Sequence, residues 1–371
     1  MTIITVIPKA HTAIVQAAEP AGSLLIARDI PLPEIRPGDI LVKTAAVALN
    51  PCDFKTPRAF PTPGCYDGCD FAGTVVALGS EVAANGSWKI GDRVFGAVNG
   101  SNPADLDTGS YAHYIKSIGA FTYKMPDWMT FEQAAGLSPC CIATAGIALF
   151  KSLELPGTFE EPVPEGKGVD VLIGGGNSTV GRLCIQMVKL LGHRALSTCS
   201  PAAFPHVKSY GADHAFDYKS PTWPADVKKA TRNCLKYVVD PFAEVRTMSA
   251  SFEAIGRAGG RYTALERFQE DICNKKTVKR ELVMGASILG FGIDLGKESP
   301  YAKPESAELK AWGKEWYRSV QRLVDEKRLR GGPVRVLNDE MQEEPFELIL
   351  KGLEMLKRKG VFGEKLVVRF S

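Results

Sequence analysis

Val169-Asp-Val-Leu-Ile-Gly-Gly-Gly-Asn-Ser-Thr-Val-Gly-Arg-Leu-Cys-Ile-Gln-Met-Val-Lys-Leu-Leu191 is the stretch that decides the fold. Val169–Ile173 is a short apolar strand and Gly174–Gly176 a turn. Ser178 through Leu191 follows as a helix, with Val180, Leu183, Cys184, Met187, Val188 and Leu191 on its apolar face. Three glycines let the backbone turn tightly and approach a phosphate. Asn177, Ser178 and Thr179 add short donors at a helix N-terminus, where unpaired N–H groups and the helix dipole favour an anion. The third small position is filled by Gly181, one residue later than the usual spacing. A glycine-rich turn with no ligand is the competing reading.

Downstream, His193–Cys199 reads as a second strand. Ala215–Tyr218, Tyr237–Asp240 and Gly260–Leu265 read as later ones, with helical stretches between some of them. This alternation predicts an α/β unit built on a doubly wound parallel sheet. The second strand runs out through Thr198-Cys-Ser200 into Pro201-Ala-Ala-Phe204 and offers no carboxylate to a ribose. An Asp or Glu there selects NADH and would repel a 2′-phosphate. Ser200 can donate to that phosphate, and Tyr218 and Lys219 lie one strand further on, so the expected cofactor is NADPH.

Upstream, the first 125 residues are short β-rich runs punctuated by Gly and Pro: Asp39–Leu49, Phe71–Leu78, Asp92–Ala97 and Ser110–Ile115. They predict a small, mostly antiparallel, barrel-like domain. Thr130 with Gln133 forms a capping box that opens a helix. The helix Phe346–Lys359 and the strand Lys365–Phe370 close the chain and can return to the first domain. The chain has 371 residues, 45% of them hydrophobic and 23% charged, which rules out disorder and suggests two domains. A net charge of +3 gives no reason to expect nucleic acid. No run reaches the roughly 18 consecutive apolar residues of a membrane span, and the first residues do not read as a signal peptide. Nine scattered cysteines fit a reducing cytoplasm better than a disulfide framework.

These pieces in this order resemble the medium-chain dehydrogenase/reductase superfamily. Gly68-Cys-Asp-Phe-Ala-Gly-Thr-Val-Val-Ala-Leu-Gly79 with Gly91-Asp-Arg-Val94 resembles its N-terminal signature, and Gly360–Val368 its close. Within it, the chain is similar to the zinc-free, trans-acting enoyl reductases of fungal polyketide synthases, the lovastatin-type group. Asn50-Pro-Cys-Asp-Phe-Lys55, Ala143-Thr-Ala-Gly146, Thr198-Cys-Ser-Pro201, Phe216-Asp-Tyr218, Ala254–Gly260 and Gly363–Val368 carry that likeness. The resemblance implies a GroES-like catalytic domain over residues 1–140 and 325–371, and a Rossmann NADP-binding domain over 141–324.

The resemblance also implies the site. Cys52, Asp53, Lys55, Thr144, Gly176, Asn177, Ser178, Thr179 and Val180 would surround NADPH. Ser200, Pro201, Ala202, Ala203, Tyr218, Leu265, Val361 and Phe362 would complete that set. Lys55 and Thr144 would be the catalytic pair, nearest the nicotinamide and the substrate. Cys140, Cys141, Ala143, Gly285, Ser287 and Ile288 would line the substrate. The implied partner is the carrier protein of a polyketide synthase or a synthase–peptide synthetase hybrid, and the implied state a monomer. Cys52 stands where a hydroxyl residue is common, and Ala202-Ala203 where larger polar residues bind the 2′-phosphate.

Zinc-dependent members of the superfamily carry Gly-His-Glu in the signature, where this chain has Gly68-Cys69-Asp70. Cys52 and Cys140 fall near the other two ligand positions, so three thiols could converge. Buried inert thiols are the expectation, with no metal. His113, His193, His206 and His214 lack nucleophile–base spacing, and no Gly-x-Ser-x-Gly elbow occurs. Arg318–Arg330 reads as a solvated amphipathic helix, with a docking face for an acidic carrier as the sharper alternative. Ser287–Gly292 is a candidate edge strand for dimerisation, weakened by its glycines. A stand-alone quinone or enone reductase and a non-catalytic NADPH-binding protein remain the competing functions.

Overall fold

The computed structural model describes residues 7–272, 275–296 and 298–370. The chain divides into two compact units: Met1–Cys140 with Ala286–Lys297 and Pro304–Ser371, and Cys141–Gly285 with Glu298–Lys303. Among the described residues, seven strands precede residue 125: β1 (Ala10–Gln16), β2 (Leu24–Pro31), β3 (Asp39–Ala48), β4 (Asp70–Leu78), β5 (Arg93–Ala97), β6 (Tyr114–Ile118) and β7 (Thr122–Lys124). β1 and β2 pair as a separate ribbon. The other five join two late strands, β14 (Val334–Val336) and β15 (Lys365–Arg369), in the order β14-β15-β3-β4-β5-β7, with β6 on β3. All pairings in this sheet are antiparallel except β14 with β15.

The terminal strand therefore returns to the first unit, where Leu366 and Val368 join Ile40, Val47, Phe71 and Val94 in one core. The helices of this unit are α1 (Pro51–Ala59), α2 (Ser80–Asn85), α3 (Phe131–Gly136), α9 (Ala307–Asp325) and α10 (Pro345–Lys357). The Thr130–Gln133 box forms as read: Gln133 N–H donates to Thr130 Oγ1 at 3.2 Å, and Gln133 Oε1 accepts from Thr130 N–H at 3.0 Å.

The second unit is a six-stranded parallel sheet of β8 (Asp170–Ile173), β9 (Arg194–Cys199), β10 (His214–Asp217), β11 (Tyr237–Asp240), β12 (Gly260–Ala264) and β13 (Val278–Leu282). Its order, β10-β9-β8-β11-β12-β13, reverses between β8 and β11, so ligands belong outside the carboxyl ends of those two strands. α5 (Thr179–Leu190), α6 (Phe204–Ser209), α7 (Trp223–Ala230) and α8 (Val245–Ala254) make the crossovers. α4 (Pro139–Gly146) runs into a π-helical turn, Ile147–Ser152, whose Leu153 N–H reaches back to Ala148 O. By composition and length Phe131–Ser152 could cross a membrane, yet 72% of its apolar window is buried inside the protein.

Four expectations need correction. The return to the first unit falls well before residue 325. α9 belongs to the first unit because Tyr317 stacks on Tyr123 at 4.6 Å and meets Phe121 edge-on at 5.2 Å. α9 also starts at Ala307 and ends at Asp325, not Arg318–Arg330, and buries Trp316, Tyr317, Val320, Leu323 and Val324 along one face. Ser287–Gly292 is no edge strand: Gly285–Leu289 is a 3-10 turn, and the edge is β13, Val-Lys-Arg-Glu-Leu. β6 begins at Tyr114, because Ser110–Ala112 instead bonds to the turn at Asp67–Gly68 and to β1.

Candidate functional site: a dinucleotide cradle and a thiol–carboxyl cluster

In the second unit, the glycine turn sits where the sheet order reverses, and Gly174 N–H donates to Val239 O at 2.8 Å. Gly175 has φ +56°, and a Cβ there would fall 2.2 Å from Cε2 of Phe242. A Cβ on Gly176 would lie 1.9 Å from Ser197 Oγ, and one on Gly181 only 2.5 Å from Gly175 O. The late third glycine is thus what lets α5 close onto the turn. Ser178 caps α5 by accepting from Gly181 N–H at 3.1 Å. Its hydroxyl hydrogen stays available to an anion. Asn177 and Thr179 lie half-buried beside it, and Val180 is buried.

At the end of β9, Ser200 is half-buried, Pro201 and Ala202 are exposed, and Ala203 is buried. Tyr218 is 41% exposed, with Lys219 Nζ 5.8 Å from its ring centroid. Arg246 on α8 donates to Lys219 O at 2.8 Å, which brings a second cation to the backbone of the residue after Tyr218. Leu265 N–H donates to Asp240 O at 3.2 Å. Thr144 is half-buried, and a Cβ built on Gly285 would fall 2.3 Å from its Oγ1, so these two expected site residues are neighbours. Cys141 is half-buried and Ala143 buried on the same helix.

Sequence reasoning passed over the loop that completes this cradle. Asp240, 1% exposed, ends β11 and accepts from Phe242 N–H at 3.0 Å, Ala243 N–H at 3.1 Å and Tyr262 Oη at 2.8 Å. The carboxylate pins the loop that sets Phe242 against Gly175. Asp-Pro at the end of a strand was the available signal, since Asp accepts from its own backbone two residues on. Arg182, 2% exposed, is also new to the site: its Nη1 donates to Asn177 Oδ1 at 3.4 Å, and burial lowers its pKa.

In the first unit, Asn50–Lys55 opens α1. Asp53 Oδ2 accepts from Asn50 N–H at 2.7 Å, which closes a capping box. Asp53 also accepts from Tyr111 Oη and from the Cys52 thiol at 3.4 Å. It is 2% exposed, and burial drives its pKa well up despite those donors. This side chain is locked inward, while Lys55 stands exposed on the same helix. Val361 is half-buried and Phe362 is 81% exposed. Ser287 and Ile288 are buried, the latter with its carbonyl 2.3 Å from where a Gly313 Cβ would stand, so Ile288 packs under α9.

The three thiols do converge: the sulfurs of Cys52, Cys69 and Cys140 lie within 4.8 Å of one another, with Cys52 and Cys69 4.0 Å apart. Hydrogen bonding to Cys140 and burial raise the Cys52 pKa, and hydrogen bonds to Cys140 and Cys52 raise that of Cys69. Both effects favour the neutral thiol at Cys52 and Cys69. Asp70, in the slot of the signature Glu, is committed elsewhere. It accepts from Cys140 N–H at 2.8 Å, Asn50 Nδ2 at 2.9 Å and Ser138 Oγ, with Lys365 Nζ at 3.3 Å. A catalytic zinc held by three protein ligands takes water as its fourth donor, and Asp70, tied up in these bonds, adds no further ligand to the thiols.

A glycine cradle at a topological switch point in one unit and an antiparallel GroES-type sheet in the other define the class, a dinucleotide-dependent oxidoreductase of the alcohol dehydrogenase kind. Residues 36–127 match the family model described as Alcohol dehydrogenase GroES-like domain. An alcohol dehydrogenase superfamily protein from Novosphingobium aromaticivorans superposes with TM-score 0.73 at 24% identity, covering 97% of this chain and all of that one, which shows the fold. Over 367 residues the chain is 64% identical to "Enoyl reductase cheB" of Chaetomium globosum, covering 98% of this chain and 94% of that protein. It is 58% identical to "Trans-enoyl reductase RAP1" of Pyricularia oryzae, covering 98% and 99%. The chain belongs to the trans-enoyl reductase family.

Proposed function

We propose that this protein reduces the carbon–carbon double bond of an α,β-unsaturated thioester carried by a polyketide synthase, with NADPH as the reductant. The observation that carries the reading is the full-length likeness to Enoyl reductase cheB, joined to a tight glycine turn and a capped helix N-terminus at the switch point of the parallel sheet. Bound NADPH would supply hydride to the β-carbon. The Gly174–Gly176 turn and the capped N-terminus of α5 hold the diphosphate. Ser200, Lys219 and Arg246 favour the 2′-phosphate, since no carboxylate ends β9.

The chain's remaining work is to hold the acceptor's β-carbon about 3–3.5 Å from the hydride donor and to place donors against the thioester oxygen as negative charge develops there. Such donors are commonly worth a few kcal/mol. Thr144 Oγ1, beside Gly285, offers a hydrogen bond at the nicotinamide or the substrate. Lys55 organises the cofactor side from α1, whose capping box fixes the helix start. The α-carbon is then protonated, with water as the source. The enzyme acts as a monomer and without metal, in the cytoplasm. The eight described cysteines, all free thiols, accord with a reducing compartment.

Absorbance of NADPH during incubation with two acceptor panels tests this reading. Turnover of carrier-bound enoyl thioesters but not of simple quinones supports it. Quinone turnover alone would mark a stand-alone quinone reductase, and binding without turnover a non-catalytic protein.

A further inference from the structure

At the end of the parallel sheet opposite the glycine cradle, the first residues of β11, β12 and β13 form an open groove of about 460 Å³. It is lined by Lys236, Arg261, Lys276 and Lys279 over a floor that includes Tyr237 and Val278. The sequence builds it closely. Gly260 lies so near β11 that a Cβ would stand 2.0 Å from Lys236 O, and Gly259, at φ +81°, so near β13 that one would stand 2.1 Å from Thr277 O. The absence of side chains at Gly259 and Gly260 lets the backbone at Lys236 and at Thr277, next to Lys276, close in on the two flanks of β12.

The register then aligns charge. Tyr237 pairs with Arg261 and Arg261 with Lys279, so these residues share one row across three strands and one face of the sheet. Arg261 and Lys279 converge on Glu154, which relieves their mutual repulsion. Lys275 Nζ donates to Ile255 O at 2.8 Å and also to Phe252 O and Gly256 O, anchoring the segment that carries Lys276 to the end of α8. Lys236 and Lys276 are both exposed and have no side-chain partner among the described residues.

We propose that this groove docks an acidic segment of the synthase, holding the reductase by the end of its sheet remote from the cofactor cradle. The inference rests on the trans-acting role proposed above. Cations spread over two strand spacings, about 10 Å, match a run of carboxylates better than one phosphate group. Exposed, hydrated cations suit a transient and salt-sensitive contact. The groove lies about 16 Å, one five-residue strand length, from the carboxyl ends where the dinucleotide belongs. Docking there leaves the cradle end open to the carrier arm.

The test pairs Lys236→Glu/Lys276→Glu with Lys236→Gln/Lys276→Gln in the full chain. kcat/KM is measured on an enoyl group loaded on the intact synthase and on the same group as an N-acetylcysteamine thioester, at two salt concentrations. The charge-reversed enzyme is expected to lose about tenfold on the synthase-bound substrate, the neutral one less, with both unchanged on the small thioester. Added salt should reproduce the loss in the native enzyme and weaken in effect in the variants. Unchanged turnover of synthase-bound substrate overturns the docking site, as does an equal loss on both substrates. So does protection of the lysines from acetylation by pyrophosphate or RNA but not by synthase. If the native enzyme reduces neither substrate, the enoyl reductase reading fails. The groove is then judged separately, by whether labelled synthase binds native chain and not the charge-reversed one.

Discussion

Phe242 lies against Gly175, its Cε2 2.2 Å from where a Cβ at position 175 would stand. Gly175 has a positive φ of +56°, so Gly175→Ala meets both backbone strain and the ring. Its Kd for NADPH should rise at least about tenfold, since a shift of the turn disturbs every phosphate contact. Because Phe242 is 48% exposed, Gly175→Ala/Phe242→Ala should recover part of that loss. Fluorescence titration of the cofactor checks this, and equal losses in the single and double variants would assign the whole effect to backbone strain.

Lys219 lies over the ring of Tyr218, and Arg246 donates to the Lys219 carbonyl, just past the end of the strand after β9. Lys219→Ala/Arg246→Ala should weaken NADPH by about tenfold and leave NADH nearly unaffected, because only the former carries a 2′-phosphate to pair with. The ratio of KM values for the two coenzymes measures it. An unchanged ratio would locate phosphate recognition elsewhere.

Much of this cradle was legible in the sequence because strand, glycines and capped helix are contiguous, so local periodicity and one N-cap sufficed. Tyr237–Asp240 was read with its observed bounds for the same reason, as an apolar run ending in a turn signal. Phe242 was not legible, since its position depends on Asp240 bonding Tyr262, 22 residues away. β13 was missed because Lys279, Arg280 and Glu281 give an edge strand charge rather than apolar alternation. β1 buries six of its seven residues, including His11, Thr12 and Gln16, and so shows no two-residue rhythm. The thiol cluster was anticipated from its slots. The commitment of Asp70 to Lys365, which lies 295 residues on, needed the fold.

That commitment bears on metal. With Asp70 held by Lys365, Ser138 and Asn50, the three thiols gain no carboxylate ligand, and chelator treatment should leave turnover unchanged. Elemental analysis of freshly purified, unchelated protein should find well below one zinc per chain. Stoichiometric zinc lost together with activity would contradict this.

His11 is 5% exposed, and burial followed by the charge of His113 lowers its pKa to about 4. The folded chain keeps the ring neutral while the unfolded chain protonates it near 6.5, so the unfolded state binds more protons between the two values. Stability is therefore lost as pH falls from about 6.5 to about 4, by about 2 kcal/mol from this group after allowing for partial solvent screening. His11→Gln should flatten that part of the melting-temperature profile against pH. An unchanged slope would place the acid sensitivity in other groups.

The most direct measurement follows the hydride. NADPH deuterated at C4 on the transferred face is incubated with an enoyl thioester on the synthase, and the released product is examined by mass spectrometry and NMR. One deuterium at the β-carbon, with the α-hydrogen drawn from solvent, is the predicted result. Oxidation of the coenzyme with no label in the product, or no oxidation at all, would contradict the assignment.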